Sequence, residues 1–199
     1  MTGEVTDESD NCDTSVEATS SDVVIDGACE GEQIVIRTWT LSDDCGNVSS
    51  SQIQTITIQD VTAPSFTVPA DITIDATADC TYDASVGVTG DVTDEADNCD
   101  TTVEATFTDV EADGTCEGAK VITRTWTLMD DCGNAAAPQD QIITVQDVTN
   151  PTFTVPADIT IDAAADCSYD ASVGITGDIT DEADNCDTCL LYTSDAADE

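Results

Sequence analysis

Along residues 61–147, apolar and polar residues alternate with a period of two in several short runs rich in Val, Ile and Thr. This period is typical of half-buried β-strands, and no segment shows a convincing helical period. Turn-forming stretches separate the runs, and Pro69 bends the first of them. The spacing predicts an all-β fold, a β-sandwich of immunoglobulin type. The predicted strands are residues 66–69 continuing into 71–75, then 82–88, 103–110, 121–128 and 141–146.

The predicted strand 121–128 carries Trp126 and Arg124 on the same face. A tryptophan on the apolar face of a strand is expected in the core, where it buries about 150–250 Å². We therefore predict that Trp126 is a core residue rather than a ligand-binding aromatic. We expect Arg124 near a strand end, with its stem on apolar surface and its head on a carboxylate.

The sequence repeats itself with a constant shift of 87 positions, so that Arg37 recurs as Arg124 and Trp39 as Trp126. A constant shift without insertions predicts a tandem array of one structural unit. We expect residues 1–60 to be the C-terminal part of a first repeat, 61–147 a complete repeat, and 148–188 the N-terminal part of a third. The same shift relates Cys12, Cys29, Cys45 and Cys80 to Cys99, Cys116, Cys132 and Cys167.

Both ends of the chain depart from the repeat. Met1 stands where the repeat has Val88, and residues 189–199 replace the expected continuation of the third copy. Those final residues resemble the translation of a sequencing adapter, so we predict that they are not native. We therefore expect the sequence to be a metagenomic fragment of a longer protein.

The charge of the chain excludes several partners. With 3 basic and 43 acidic residues, the formal net charge is 3 − 43 = −40. Nucleic acids and anionic membrane surfaces need clustered Lys and Arg, so neither is expected as a partner. No apolar run approaches the roughly 20 residues of a membrane-spanning helix, so membrane insertion is not expected. Because the chain has no histidine, it lacks the usual general base, and we expect no enzyme.

Three segments of the complete repeat carry a family resemblance: DVTAPSFTVPADITI at 60–74, DNC at 97–99, and RTWTLMDDCGN at 124–134. On these motifs the chain resembles the hyalin-repeat (HYR) family of extracellular immunoglobulin-like modules. The resemblance covers the complete repeat and both partial ones. It implies tandem immunoglobulin-like β-sandwiches of a large bacterial surface protein, in which such modules serve as spacers and adhesive stalks. The chain departs from the family pattern at Val68 and at 135–137, where a paired cysteine is common.

The four cysteines of a repeat allow three pairings, which the departure from the family pattern leaves to be argued afresh. In a sandwich, the loops that hold Cys99 and Cys132 lie at one end, and Cys80 and Cys116 lie at the other. We therefore predict the disulfides Cys99–Cys132 and Cys80–Cys116. By equivalence, Cys12 pairs with Cys45, whereas Cys29, Cys167 and Cys186 lack partners.

A zinc site is the alternative use of these cysteines, but the chain has neither a CxxC spacing nor a histidine. Two disulfides in each repeat indicate an oxidising compartment. We therefore expect the protein to be extracellular or attached to the cell surface.

Acidic residues concentrate in the loops 94–100 and 130–134 and at the junctions between repeats. The predicted Cys99–Cys132 bond would bring both loops together, and converging oxygen ligands suit Ca²⁺. The spacing does not match an EF-hand, and the alternative is a solvated acidic surface adapted to high salt. The candidate calcium ligands are Asp60, Asp94, Glu95, Asp97, Asn98, Asp100, Asp130, Asp131, Asn134 and Asp147.

These observations favour a structural role over a catalytic one. We expect a stalk segment of a secreted or cell-surface adhesion protein, stiffened by calcium at its junctions, with neighbouring repeats and surface glycans or other cells as partners. The alternative is a carbohydrate-binding accessory module of a secreted multidomain protein. That alternative needs a row of exposed aromatics, and the complete repeat offers Phe66, Tyr82, Phe107 and Trp126, all expected in core or turn packing.

Overall fold

The computed structural model describes residues 5–187. They form eleven strands and two one-turn helices, so the predicted all-β class is confirmed. The described chain divides into two compact units, the first made of residues 5–67, 92–106 and 127–138, the second of 68–91, 107–126 and 139–187. The elements are β1 (Glu17–Asp26), β2 (Gln33–Ser42), β3 (Gln52–Ile58), β4 (Ser65–Thr67), β5 (Ile72–Asp75), α1 (Val86–Thr89), β6 (Thr93–Ala96), β7 (Thr106–Asp113), β8 (Lys120–Thr127), β9 (Gln139–Gln146), β10 (Thr152–Thr154), α2 (Val173–Thr176) and β11 (Thr180–Ala183).

The first unit contains a three-stranded antiparallel sheet in the order β1-β2-β3. Its central strand has the alternating Val, Ile and Thr residues that favour a pleated surface, and Val35 pairs with Val24 on one side and Ile56 on the other. A tight turn with Gly31 in the left-handed region (φ 79°) joins β1 to β2. The short strands β4 and β6 form a separate antiparallel pair, in which Ser65 lies opposite Ala96.

The second unit is built around a four-stranded sheet in the order β5-β9-β8-β7. Strand β5 runs parallel to β9, with Ile72 opposite Ile143. A strand near the start of the complete repeat therefore lies beside the last strand of that repeat. The apolar core of this unit is formed by Ala76, Ile122, Ile143, Val145 and Cys186.

Strand β8 alternates buried and half-buried residues, as its sequence pattern predicts. Trp126 is only 1% exposed, which confirms its place in the core. The head of Arg124 reaches the carboxylate of Asp109, which is also confirmed, through bonds of 2.8 and 2.7 Å. The expected position near a strand end is wrong, because Arg124 lies in the middle of β8 and is 2% exposed.

One predicted strand is replaced by a helical turn. Residues 82–88 do not extend, because the carbonyl of Ser85 accepts bonds from the amides of Val88 and Thr89 and so begins α1. Gly90 ends that turn with a positive φ of 92°, which favours glycine. The pattern also did not predict β6, whose sequence Thr-Asp-Glu-Ala carries almost no apolar signal.

Two disulfides are present among the described residues, Cys29–Cys132 and Cys80–Cys186, with Cα–Cα distances of 5.2 and 5.1 Å. The predicted pairings Cys99–Cys132, Cys80–Cys116 and Cys12–Cys45 are therefore wrong, as is the expectation that Cys29 and Cys186 lack partners. These predictions placed both partners of each disulfide within one repeat, whereas each observed disulfide joins a cysteine of one repeat to a cysteine of the next. In the described part of the chain, free thiols remain on Cys12, Cys45, Cys99, Cys116 and Cys167.

Disulfides persist in oxidising compartments, so the two bonds indicate a non-cytoplasmic setting. No helix in the described residues is both long and apolar enough to cross a membrane.

Candidate metal site

Three carboxylates of the first unit converge on one point. Asp60, Asp97 and Asp130 each direct an oxygen to within 4.8 Å of the other two. Asp130 is 4% exposed, and the other two are half-buried. We call this cluster the acidic triad, and all three of its members belong to the ten predicted calcium ligands.

Each member of the triad is held in place by the local turn that contains it. Asp60 follows β3, and its Oδ1 accepts a bond from the amide of Thr62 (3.0 Å). Asp97 follows β6, and its Oδ2 accepts the amide of Cys99 (2.8 Å). Asp130 lies three residues after the end of β8, and its Oδ1 accepts the amide of Asn134 (2.7 Å). Short polar side chains commonly brace turns in this way, and here the bracing points three of them together.

Two of the triad oxygens lack a hydrogen-bond partner in the part of the chain that the structure describes. Oδ2 of Asp60 and Oδ1 of Asp97 are buried and accept no hydrogen bond from the described residues. A buried polar atom without a partner costs roughly 1–3 kcal/mol, more when it carries charge. Two members of the triad therefore carry negative charge that no hydrogen bond at these oxygens compensates.

No basic side chain compensates this charge. The chain has three basic residues. Arg37 pairs with Asp22, and Arg124 pairs with Asp109. Lys120 pairs with Glu111 and Asp113. Two carboxylates about 4–5 Å apart repel each other by about 3–4 kcal/mol at an effective dielectric constant of roughly 20, so a bound cation would relieve the cluster.

Two asparagines tie the triad together as donors. Nδ2 of Asn134 donates to Asp130 Oδ2 (2.8 Å) and to the carbonyl of Asp60 (3.3 Å). Nδ2 of Asn98 donates to Asp60 Oδ1 (3.3 Å). Both were predicted as ligands, and the structure gives their amide nitrogens a positioning role around the carboxylates.

Four other predicted ligands in these loops direct their carboxylates to different partners. Asp94 accepts the hydroxyl of Thr93, and Glu95 accepts the amide of Ala105. Asp100 accepts the amide of Thr102, and Asp131 accepts the amide of Glu30. The tenth candidate, Asp147, lies in the second unit, where it accepts the amide of Thr149 (2.9 Å).

Asp100 links the two acidic loops. Besides the amide and hydroxyl of Thr102, its carboxylate accepts the amide of Asp131 (3.1 Å). The backbone bond from Thr102 is the main cause that lowers the pKa of Asp100, and burial acts in the opposite direction. Asp100 thus supports the site as an ionised brace.

The thiol of Cys99 lies beside the triad. Burial is the first cause that raises its pKa, and the neighbouring carboxylates of Asp60 and Asp97 raise it further. Both causes disfavour the thiolate, so Cys99 is held in its thiol form beside the triad.

Sequence reasoning missed the contribution of the β1–β2 turn of the first repeat. Glu30 Oε2 accepts the amide of Thr101 (3.0 Å), while the amide of Glu30 donates to Asp131 Oδ2 (3.0 Å). The adjacent Cys29 is bonded to Cys132. The motif Cys29-Glu30-Gly31, repeated as Cys116-Glu117-Gly118, was the available signal.

A second group of possible ligands, Cys29, Asp131 and Cys132, also comes together. Its two sulfurs form a disulfide, which removes the thiolates that a metal would need. The acidic triad is therefore the candidate metal site.

Comparison with protein-family models, with curated proteins and with solved structures gives no match to this chain.

Proposed function

We propose that the chain is a structural stalk segment of a large secreted or cell-surface bacterial adhesion protein, stiffened by calcium at the junction between repeats. The observation that carries this proposal is that Asp60 and Asp97, which converge with Asp130, each keep one buried oxygen without a hydrogen-bond partner among the described residues.

The donor set favours calcium among the common metals. Ca²⁺ takes six to eight oxygen ligands and tolerates irregular geometry, whereas zinc prefers nitrogen and sulfur. Mg²⁺ demands near-ideal octahedral geometry and gives up its waters reluctantly. Three carboxylates supply part of a calcium shell, and water would supply the rest.

The position of the triad explains how calcium would stiffen the chain. Asp60 begins the linker between the first and second repeats, whereas Asp97 and Asp130 lie in loops of the second repeat. A shared cation would hold the linker against those loops. The linker is short and ends in the buried Pro64, which restricts the residue before it to extended conformations.

The β-rich fold, the disulfides and the parallel β5–β9 pair support an immunoglobulin-like repeat of HYR type. The aromatics of the complete repeat give no support to the carbohydrate-binding alternative. Phe66 and Trp126 are buried. Phe107 is 40% exposed, contrary to the expected core or turn packing, but its ring lies 4.8 Å from that of Trp126. The hydroxyl of Tyr82 is bonded to Glu111. No flat aromatic row is formed by these four residues.

Small-angle X-ray scattering of the oxidised full chain tests the stiffening. We expect calcium to narrow the distribution of end-to-end dimensions, beyond the change that sodium chloride of equal ionic strength produces. In Asp97→Asn the calcium effect should be lost, because the amide keeps an oxygen for the turn but removes the charge.

The matched control is Asp10→Asn. Asp10 stands one repeat earlier and braces its turn in the same way, with its Oδ1 accepting the amides of Cys12 and Asp13. This variant should keep the full calcium response. Identical scattering with and without calcium in the unmodified chain would reject calcium stiffening.

A further inference from the structure

The two disulfides obey one rule when they are placed on the repeat. Cys132 belongs to the repeat that follows that of Cys29, and Cys186 belongs to the repeat that follows that of Cys80. The 87-residue shift groups the cysteines into position a (Cys12, Cys99, Cys186), position b (Cys29, Cys116), position c (Cys45, Cys132) and position d (Cys80, Cys167). One observed bond is therefore b to the next c, and the other is d to the next a.

The free Cys99 has the local structure of its bonded equivalent Cys186. The amide of Cys99 donates to Asp97 Oδ2 (2.8 Å), and the amide of Cys186 donates to Asp184 Oδ1 (2.9 Å). In both places the preceding asparagine donates its side-chain amide to the cysteine sulfur. Position a is thus prepared for a disulfide whether or not the structure contains its partner.

The free Cys116 likewise matches its bonded equivalent Cys29. The carbonyl of Cys29 accepts the amide of Glu32 at 3.2 Å, and the carbonyl of Cys116 accepts the amide of Ala119 at 3.2 Å. Both cysteines therefore lie at the same place in the same turn, and Cys116 is exposed.

Two glycines repeat the same close packing. Gly31 and Gly118 are equivalent, and both have a φ of 79°. A Cβ on Gly31 would collide with the side chain of Cys99, and a Cβ on Gly118 would collide with that of Cys186. The turn of one repeat therefore meets position a of the next in both copies, although the thiol is bonded in only one of them.

We propose that every junction between repeats carries two disulfides, one from position b to position c of the next repeat and one from position d to position a of the next. Cys99 and Cys116 are then half-cystines whose partners belong to further copies of the repeat. Cys99 takes the position-d cysteine of the preceding copy, and Cys116 takes the position-c cysteine of the following one. Those positions fall outside the 199-residue sequence when 87 is subtracted from 80 or added to 132.

Each bond forms when two thiols lose two protons and two electrons to a disulfide oxidant, such as oxidised glutathione or a disulfide-exchange enzyme, which is reduced to two thiols. These bonds form without calcium, and they would join each repeat covalently to its neighbour at two points.

The first part of the test maps the cysteines of the full chain, refolded in a glutathione buffer with Cys189→Ser. We expect Cys99 and Cys116 to be fully alkylated without reduction, and peptides with Cys29–Cys132 and Cys80–Cys186 to be linked. A Cys99–Cys132 or Cys80–Cys116 peptide would overturn the proposal.

The second part extends the chain by one repeat, so that residues 1–147 are followed directly by 61–199. The changes Thr81→Ser and Thr127→Ser in the first copy keep the hydroxyls and mark its peptides by mass. We expect Cys116 of the first copy to bond Cys132 of the second, and Cys99 of the second copy to bond Cys80 of the first. Cys116 of the first copy and Cys99 of the second copy should then no longer be alkylated.

Two results would contradict the proposal. One is a disulfide between two cysteines of a single copy. The other is continued alkylation of Cys116 of the first copy and of Cys99 of the second copy in the extended chain. A covalent ladder of separate chains on non-reducing gels, in place of the new internal bonds, would also contradict it.

Discussion

Arg37 and Arg124 occupy equivalent positions in two copies of the repeat, yet their surroundings differ. Each forms a two-bond contact with an equivalent aspartate, Asp22 or Asp109, at 2.8 and 2.7 Å. The side chain of Arg37 is 19% exposed, whereas that of Arg124 is 2% exposed. The sequence of the paired strands therefore determines the ion pair, whereas the burial of the pair depends on contacts from outside these strands.

That difference comes from residues 68–91 of the complete repeat, which contribute β5 to the sheet and also contact the arginine. Arg124 also donates to Thr89 Oγ1 (2.8 Å) and to the carbonyl of Ala84 (2.7 Å). The counterpart of Thr89 is Thr2, which lies outside the described residues, and that of Ala84 falls before residue 1. In the complete repeat, residues 68–91 therefore bury the ion pair of β8 through the contacts of Ala84 and Thr89 with Arg124.

The largest expected effect comes from removing the bond that joins this covering segment to the third repeat. In Cys80→Ser combined with Cys186→Ser, we expect a loss of about 4 kcal/mol in the free energy of unfolding, because the bond closes a loop of more than 100 residues. Urea unfolding followed by tryptophan fluorescence measures it. Cys12→Ser combined with Cys167→Ser is the matched control at equivalent free positions, and an equal loss there would contradict the account.

The next effect tests the two arginines directly. We expect Arg124→Ala to cost about 3 kcal/mol, because it leaves buried hydrogen-bonding groups and Asp109 without their partner. Arg37→Ala should cost less, because its ion pair is partly exposed to solvent. Urea unfolding of the two variants compares them, and similar losses would contradict the claim that burial by residues 68–91 makes Arg124 the more important of the two arginines for stability.

The smallest effect is a pH dependence. The folded chain lowers the pKa of Asp100, chiefly through the backbone bond from Thr102. A lowered pKa contributes stability above the unfolded value of about 4, and that contribution is lost as the pH falls through the folded value.

Below about pH 4, the unmodified chain should therefore lose stability more steeply than Asp100→Asn, which cannot titrate at this position. Asp13 is the equivalent residue, and its pKa is also lowered. Because Asp13 is less buried, the same comparison with Asp13→Asn should give a smaller difference in thermal unfolding across the acid range. Parallel pH profiles for Asp100→Asn and the unmodified chain would refute the role of Asp100.

The parts of the fold that depend on local pattern could be predicted. The period of two located β8 and β9, and it placed Trp126 in the core. The acidic loops contained Asp97 and Asp130, and the acidic junction between repeats contained Asp60, because acidic segments are easily recognised in the sequence. Residues Thr93–Ala96 escaped prediction, since a short strand of polar residues carries no apolar period.

Contacts between repeats could not be predicted from one repeat alone. The pairing of Cys29 with Cys132 and the role of Glu30 both depend on a turn of one copy reaching the loops of the next. Pairing rules drawn from a single sandwich confine both partners to that sandwich, and they therefore chose the wrong bonds. The sequence pattern also could not single out the triad among the ten acidic and amide candidates. That choice depends on the positions of the backbone amides that orient the three carboxylates, which the pattern does not contain.

The central claim is that the acidic triad binds calcium, and thermal unfolding of the oxidised full chain during a calcium titration tests it most directly. At a concentration of 100 times the dissociation constant, binding to the folded state alone adds about 2.7 kcal/mol, so the melting temperature should climb with calcium and not with sodium chloride of equal ionic strength. Asp97→Asn should abolish the climb, and Asp10→Asn should preserve it. A melting temperature that rises no further with calcium than with sodium, or that rises equally in Asp97→Asn, would contradict the claim.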